Sequence, residues 1–247
     1  MAGKQMDPRM ERIIDLVLPC QQVVDVGCDH GLISLALGER PDIERVLATD
    51  ISGPSLAKLE QKLDRMGREA GLSQKITCVQ ADGLRGLPLD RADAIVITGM
   101  GGYLVCSILE KGAALAGKAT QWVLGPQRDL DQVRTFLIGL SFRVQEDLVQ
   151  SGGLYYTLFD VRPKEPMDPR YQALAQNPVL LSYGPDLYQK RAPLLQLKMQ
   201  EDLARSHRLR AHLKALPREK ADPPALSTRI EALNEQIEGL EGVLSTW

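Results

Sequence analysis

No stretch of this sequence approaches the roughly 18 uninterrupted apolar residues that a membrane span needs. The charged segment Met1 to Arg12 also lacks the apolar core of a signal peptide. Cysteine is sparse: Cys20, Cys28, Cys78 and Cys106 lie 8, 50 and 28 residues apart, so no CxxC pair exists for zinc or redox chemistry. Each sits in or beside an apolar, β-rich run, as buried thiols do. Neither sign of charge dominates. Thirty Lys and Arg against 32 Asp and Glu leave a net charge of −2, which argues against a chain coated in positive potential. Aromatic residues make up only 4%, yet 44% hydrophobic and 25% charged residues are ordinary for a folded globular protein and exclude a disordered composition. These absences describe a reduced, cytoplasmic, metal-free protein of 247 residues, either one large domain or a medium domain with an appendage.

What is present is an alternation. Asp7-Pro8 reads as a helix cap followed by proline at the first helical position, and Met10, Ile13, Ile14, Val17 and Leu18 follow at helical spacing until Pro19. QVVDVG ending at Gly27 is a short β-branched run, followed by a helical stretch from Leu32 to Leu37 and by VLATD ending at Asp50. An amphipathic helix from Pro54 to Gly67, then ITCVQAD, AIVITGMGG, a helix from Tyr103 to Glu110, QWVLGP and a helix from Leu130 to Leu140 continue the pattern. FRVQEDLVQSGGLYYTLFDV closes it as a hairpin around Gly152-Gly153. Short β-runs separated by helices imply βαβ units and a parallel sheet covered on both faces, with the hairpin adding an antiparallel strand. Residues 1–163 thus read as one doubly wound, Rossmann-like α/β domain.

Residues 164–247 differ. After Pro163, Pro166 and Pro169, the residues Leu226, Ile230, Leu233, Ile237, Leu240 and Leu244 form a heptad seam. An earlier, less regular seam runs through Leu195, Met199, Asp202, Ser206, Leu209, Leu213 and Leu216. The intervening PREKADPP cannot continue a helix, so an antiparallel, coiled-coil-like helical hairpin is expected, packed on itself within a monomer. Its first arm is basic: Leu187 to Lys220 carries nine Lys and Arg against three Asp and Glu. The second arm, from Leu226 to Gly242, has one Arg against four Glu. The arms either face one another, or the first offers phosphates a local basic stripe.

In an open α/β sheet, ligands bind beyond the carboxyl ends of the strands at the switch point. The residues there are Gly27, Asp29, His30 and Gly31 after the first strand, Asp50 and Ile51 after the second, Asp82 and Gly83 after the third, and Gly99, Met100, Gly101 and Gly102 after the fourth. Asp50 lies 23 residues beyond Gly27, where a carboxylate either accepts from both ribose hydroxyls of an adenosine cofactor or caps the following turn or helix. The first loop has Asp29 and His30 where a dinucleotide fold keeps glycine for its pyrophosphate. An aspartate there repels a diphosphate but pairs with a sulfonium or α-ammonium group, favouring S-adenosyl-L-methionine over NAD. Asp82 is positioned to accept from the adenine amine or to cap the loop. TGMGG lacks the Asn/Asp-Pro-Pro-aromatic tetrad of methyltransferases that modify exocyclic amines, which points to an acceptor atom with an exposed lone pair.

DVGCDHG, ATD, QADGL, ITGMGG and the helical appendage that follows YGPDL together resemble the bacterial tRNA adenine-22 N1-methyltransferases, the TrmK family. The resemblance spans nearly the whole chain. It implies a Rossmann-like catalytic domain, S-adenosylmethionine as donor and N1 of a tRNA adenine as acceptor, with Gly27, Asp29, His30 and Gly31 as the donor loop. It further implies Asp50 as the ribose ligand, Asp82 and Gly83 in the adenine pocket, and Gly99 to Gly102 facing the target base. Two positions depart from the family pattern: Gly125-Pro126 stands where Gln-Pro is usual, and Gln150-Ser151 precedes the hairpin glycines in place of an acidic residue.

On this reading Asp29 stabilises the charge that develops on the methylated base, and His30 orients the base or takes a proton. The alternative makes Asp29 a donor-binding residue and His30 structural. Met100 and Tyr103 are the candidates to hold an extruded adenine. Lys198, Arg205, Arg208, Arg210, Lys214 and Arg218 are the candidates to grip tRNA phosphates. Rival functions are methyl transfer to another RNA or a small molecule, an NAD-dependent dehydrogenase, and a non-catalytic nucleotide- or RNA-binding module.

Overall fold

The computed structural model describes residues 6–215 and 223–247. The chain divides into two compact units between Asp168 and Pro169.

The first unit opens with α1 (Pro8–Leu16), whose Arg9 backbone N–H donates to the Asp7 side chain at 2.8 Å. Five strands alternate with helices: β1 (Cys20–Val26), α2 (Leu32–Glu39), β2 (Ile43–Asp50), α3 (Gly53–Ala70), the short α4 (Leu72–Lys75), β3 (Ile76–Gln80), β4 (Ala94–Thr98), α5 (Gly102–Lys111), the short α6 (Ala113–Ala116), β5 (Gln121–Gly125) and α7 (Leu130–Leu140). The hairpin β6 (Phe142–Ser151) and β7 (Leu154–Pro166) completes a seven-stranded sheet ordered β3-β2-β1-β4-β5-β7-β6. β1 to β5 are parallel, and β7 joins β5 antiparallel with β6 outside it. The expected doubly wound sheet with an antiparallel addition is therefore the observed one.

Chemistry explains the order. Val23, Val24, Ile95, Val96, Ile97, Val123 and Leu124 have no exposed surface, because β1, β4 and β5 are central strands with helices on both faces. After β3 the chain returns to the other side of β1, so the order reverses between β1 and β4. That reversal opens a crevice at the carboxyl ends of these strands. The hairpin runs further than its sequence pattern reaches. β7 continues through Pro163 to Pro166 because Pro163 falls in a bulge between the pairs Arg143–Arg162 and Phe142–Pro166, where no ladder N–H is needed.

Of the prolines that read as punctuation, Pro163 and Pro166 fall in β7, while Pro169 opens the first helix of the second unit. α8 (Pro169–Leu174), α9 (Pro178–Tyr183), α10 (Pro185–Gln189), α11 (Pro193–Lys214) and α12 (Pro223–Ser245) each begin with a proline. Proline's fixed φ suits the first turn, where its missing N–H has no partner to lose. The three short helices were not expected. α11 and α12 pack together and run antiparallel: Arg210 bonds Asn234, while His207, one turn earlier, meets Glu241 at 3.3 Å.

The seam also differs from a strict heptad. Leu233, Ile237, Leu240 and Val243 are buried, and Val243 takes the place expected of Leu244, as the 3.6-residue period of a straight helix requires. On α11, Leu195, Met199 and Ser206 are buried while Leu209 is exposed and Leu213 half-buried, so the seam loosens toward the connector. Leu216 and most of the proline-rich connector lie outside the described residues.

Candidate active site

A cavity of about 540 Å³ lies at the carboxyl ends of β1 to β4. Its floor is built from strand ends. Gly27 and Cys28 donate their N–H groups to the Thr49 carbonyl at 2.8 and 2.9 Å, continuing the β1–β2 ladder into the first loop. Asp50, the last residue of β2, then ties that loop in place: its two carboxylate oxygens accept from the backbone N–H of Asp29 at 3.0 Å and of Ser52 at 2.8 Å. A carboxylate has about four acceptor sites, so Asp50 retains capacity for a ligand hydroxyl.

Asp29 adopts a left-handed conformation with φ 49° and, like His30, faces solvent. His30 Nδ1 stands 3.8 Å from the Asp29 carboxylate, and the His30 carbonyl accepts from Lys62 at 2.7 Å. Gly27 has φ +70°, and an added Cβ would fall 2.0 Å from the Met100 Cε, so the thioether lies directly across the glycine.

Most of the expected cofactor residues line this one cavity: Gly27, Asp29 and His30 from the first loop, Asp50 and Ile51 after β2, Asp82 and Gly83 after β3, Gly99 and Met100 after β4. Ile51, 70% exposed, offers an apolar surface beside Asp50. Gly31 is not among the lining residues; it is buried as the residue that caps α2. Gly101, Gly102 and Tyr103 also stand off the lining. An added Cβ at Gly102 would meet the Asp129 carbonyl oxygen at 2.4 Å, and Gly102 N–H donates to the Arg128 carbonyl at 3.0 Å. The close approach these glycines permit is thus to the loop after β5. Tyr103 is 64% exposed on the first turn of α5.

The cavity also contains residues that carry no sequence signal. Arg9 and Met10 reach it from α1, and Gln127 from the loop after β5, where its N–H donates to the Met100 carbonyl at 2.8 Å. Leu104 and Ile108 of α5 and Leu32 of α2 supply apolar wall.

Below the first loop, Asp25 is buried and accepts from the Ser34 hydroxyl at 2.5 Å. Burial pushes its carboxyl up to about 6, with the Ser34 hydrogen bond opposing and the Asp50 charge adding to the rise. The cysteines are free. Burial pushes the thiols of Cys20, Cys78 and Cys106 up to about 11 and that of Cys28 higher still, so all four are protonated near neutrality and poor nucleophiles. Among the described residues no cluster of three or more His, Cys, Asp or Glu is placed to hold a metal, and no helix is long and apolar enough to cross a membrane.

The basic arm is partly engaged within its own unit. Lys198 pairs with Asp202 at 2.5 Å and lies over the Tyr183 ring, and Arg210 bonds Asn234 at 3.0 Å. Arg205, 3.4 Å from Asp202, and Arg208 and Lys214 are exposed on α11. Arg218 lies outside the described residues.

Several known proteins match this chain over nearly its whole length. A curated relative, the tRNA (adenine(22)-N(1))-methyltransferase of Bacillus subtilis (strain 168), is 24% identical over 243 residues, 97% of each chain. The crystal structure of the B. subtilis m1A22 tRNA methyltransferase TrmK superposes with a TM-score of 0.78 at 21% identity, over 98% of this chain and 100% of that one. M. capricolum TrmK, solved in complex with S-adenosyl-homocysteine, gives 0.71 at 15% identity over 94% and 97%. At those identities the solved structures establish the shared fold. The family follows from the sequence itself: residues 6–159 match the family described as a methyltransferase domain, and the chain belongs to it.

Proposed function

We propose that this methyltransferase transfers a methyl group from S-adenosylmethionine to N1 of an adenine in tRNA, at the position numbered 22 in the name of its curated relative. The observation that carries the reading is the extent of the likeness. It runs through both units of the chain, 97% of each sequence, and so includes the helical unit that a methyl donor does not need. The cavity suits the donor on its own chemistry. Its three carboxylates, Asp29, Asp50 and Asp82, match a ligand bearing a sulfonium, an ammonium and a ribose diol. The same carboxylates oppose a dinucleotide's pyrophosphate, because Asp29 occupies the loop where backbone N–H groups would have to approach it.

S-adenosylmethionine supplies an electrophilic methyl on sulfur. The chain supplies position. Asp50, already oriented by two backbone N–H groups, accepts from the ribose hydroxyls, and Ile51 covers the adenine face. Asp82 accepts from the adenine amine, with Gly83 beside it. Asp29, Gly99 and Met100 are the residues that would hold the sulfonium end. Adenine N1 carries an in-plane lone pair, so in-line attack needs alignment and exclusion of water more than a base. Methylation leaves a cationic ring, which the Asp29 carboxylate stabilises while the His30 imidazole orients the base. Tyr103, exposed on α5, stacks on the extruded adenine. Arg205, Arg208 and Lys214 contact tRNA phosphates.

Incubation with methyl-labelled donor and bulk bacterial tRNA tests this directly. Methylation at N1 blocks the Watson–Crick edge, so label should enter tRNA and reverse transcription should stop at one D-arm adenine. Label in ribosomal RNA or a small molecule, with none in tRNA, contradicts the acceptor assignment.

A further inference from the structure

Among the described residues that line the donor cavity, Gln127 is the one side-chain amide. Its position is fixed from the backbone. Past the ends of β4 and β5 the two segments stay paired: Gly99 N–H donates to the Gly125 carbonyl at 3.1 Å, Gln127 N–H to the Met100 carbonyl at 2.8 Å and Gly102 N–H to the Arg128 carbonyl at 3.0 Å. All three bonds join backbone atoms, and the Gln127 side chain stays exposed in the cavity wall that it shares with Gly99 and Met100. The sheet order β3-β2-β1-β4-β5 puts Gln127 on the far side of the switch point from Asp50 and Asp82, which serve the donor's ribose and adenine. It therefore stands on the side left for a second ligand, the acceptor. A primary amide presents a carbonyl acceptor and N–H donors side by side.

We propose that Gln127 reads the acceptor base, pairing through its amide with N6 and N7 of the target adenine. The inference rests on the acceptor reading above and names the group that makes adenine the substrate. Methyl transfer needs the N1 lone pair free, so the base must be gripped by another edge. The N6/N7 edge offers one donor and one acceptor, which glutamine matches with two bonds: Oε1 accepts from the N6 amine and Nε2 donates to N7. Guanine presents two acceptors there, O6 and N7, and sets its O6 against the glutamine oxygen. The cavity's ionised carboxylates only accept, so none of them makes both bonds.

The test couples side chain to substrate. A tRNA carrying 7-deazaadenosine at the target position keeps N1 and the N6 amine and lacks the N7 acceptor. With the wild-type enzyme this change should lower kcat/KM about 5- to 20-fold, the effect of one lost hydrogen bond. Gln127→Leu should lower kcat/KM on unmodified tRNA about 10- to 100-fold, the range of a two-bond base contact, and leave S-adenosylhomocysteine affinity within about twofold. In that variant the deaza substitution should cost no more than about twofold, since the bond it removes is already gone. Gln127→Glu sets a carboxylate oxygen against N7 and should remove or invert the preference for adenosine over its deaza analogue. Because the side chain is exposed and backbone bonds hold the loop, neither variant should perturb folding. A deaza penalty absent from wild type, or undiminished in Gln127→Leu, overturns the assignment. A matching loss of S-adenosylhomocysteine affinity also overturns it and gives Gln127 to the donor pocket. A wild-type protein that binds S-adenosylhomocysteine but methylates no tRNA removes the acceptor reading itself, and this proposal with it, a failure distinct from lost coupling.

Discussion

Gly27 concentrates two constraints at one position, since its left-handed φ disfavours any side chain and the Met100 methyl occupies the space a Cβ would need. Gly27→Ala should cost about 1–2 kcal/mol in urea denaturation for the backbone alone. It should also push the thioether into the cavity and weaken S-adenosylhomocysteine binding. At Asp29, substitution separates chemistry from binding. Asp29→Asn should lower kcat far more than donor affinity if the carboxylate stabilises the charged product; equal losses in both would make it a binding residue only. Asp25 gives the fold a pH dependence whose sign is fixed. Its carboxyl titrates near 6 in the folded protein against 3.8 ordinarily, so the folded state holds the proton more tightly. Its contribution is complete below the unfolded value and is lost as pH rises through 6, about 3 kcal/mol in all. Asp25→Asn, which keeps an acceptor for Ser34 and cannot ionise, should flatten the stability profile between pH 4 and 7. A profile unchanged from wild type would remove Asp25 as its source.

Helix α7 and strand β6 are joined by Arg134 and Glu146, a pair 2.6 Å apart with no exposed side-chain surface on either residue. Arg134→Met leaves a buried carboxylate uncompensated and should destabilise the protein by about 3–5 kcal/mol, whereas adding Glu146→Leu should recover most of that loss. A double variant no more stable than the single would mean that packing, not charge, dominates there. The elements themselves were largely legible in the sequence, because β-branched runs between helical stripes carry their own period. So were the acids and glycines at strand ends, since topology alone sends those positions to the switch point. Arg9 and Gln127 were not legible. Neither belongs to a motif or follows a strand end among β1 to β4; only the packing of α1 and of the loop after β5 brings them to the cavity. The glycines at 101 and 102 were legible as a close approach but not as to what: the neighbour is the Arg128–Asp129 backbone, which only the β4–β5 pairing brings there. α8 to α10 escaped because helices of five or six residues are too short to display a period.

For the molecule as a whole, charge is nearly balanced, so attraction to RNA must come from a local stripe. Asp202 meets Lys198 and Arg205, and Glu241 of α12 meets His207; Arg205, Arg208 and Lys214 are the exposed Lys and Arg of α11. Replacing these three with Gln should weaken tRNA binding and reduce the slope of log affinity against log salt by about 2 to 3, with donor affinity unchanged. An unaltered slope would confine α11 to a structural role. Methyl transfer by this chain depends on what the crevice between the first two crossovers accepts. Titrating the purified protein with S-adenosylmethionine and, separately, with NAD measures this most directly. One equivalent of S-adenosylmethionine should bind with measurable heat and NAD should give none; saturable heat from NAD alone would contradict it.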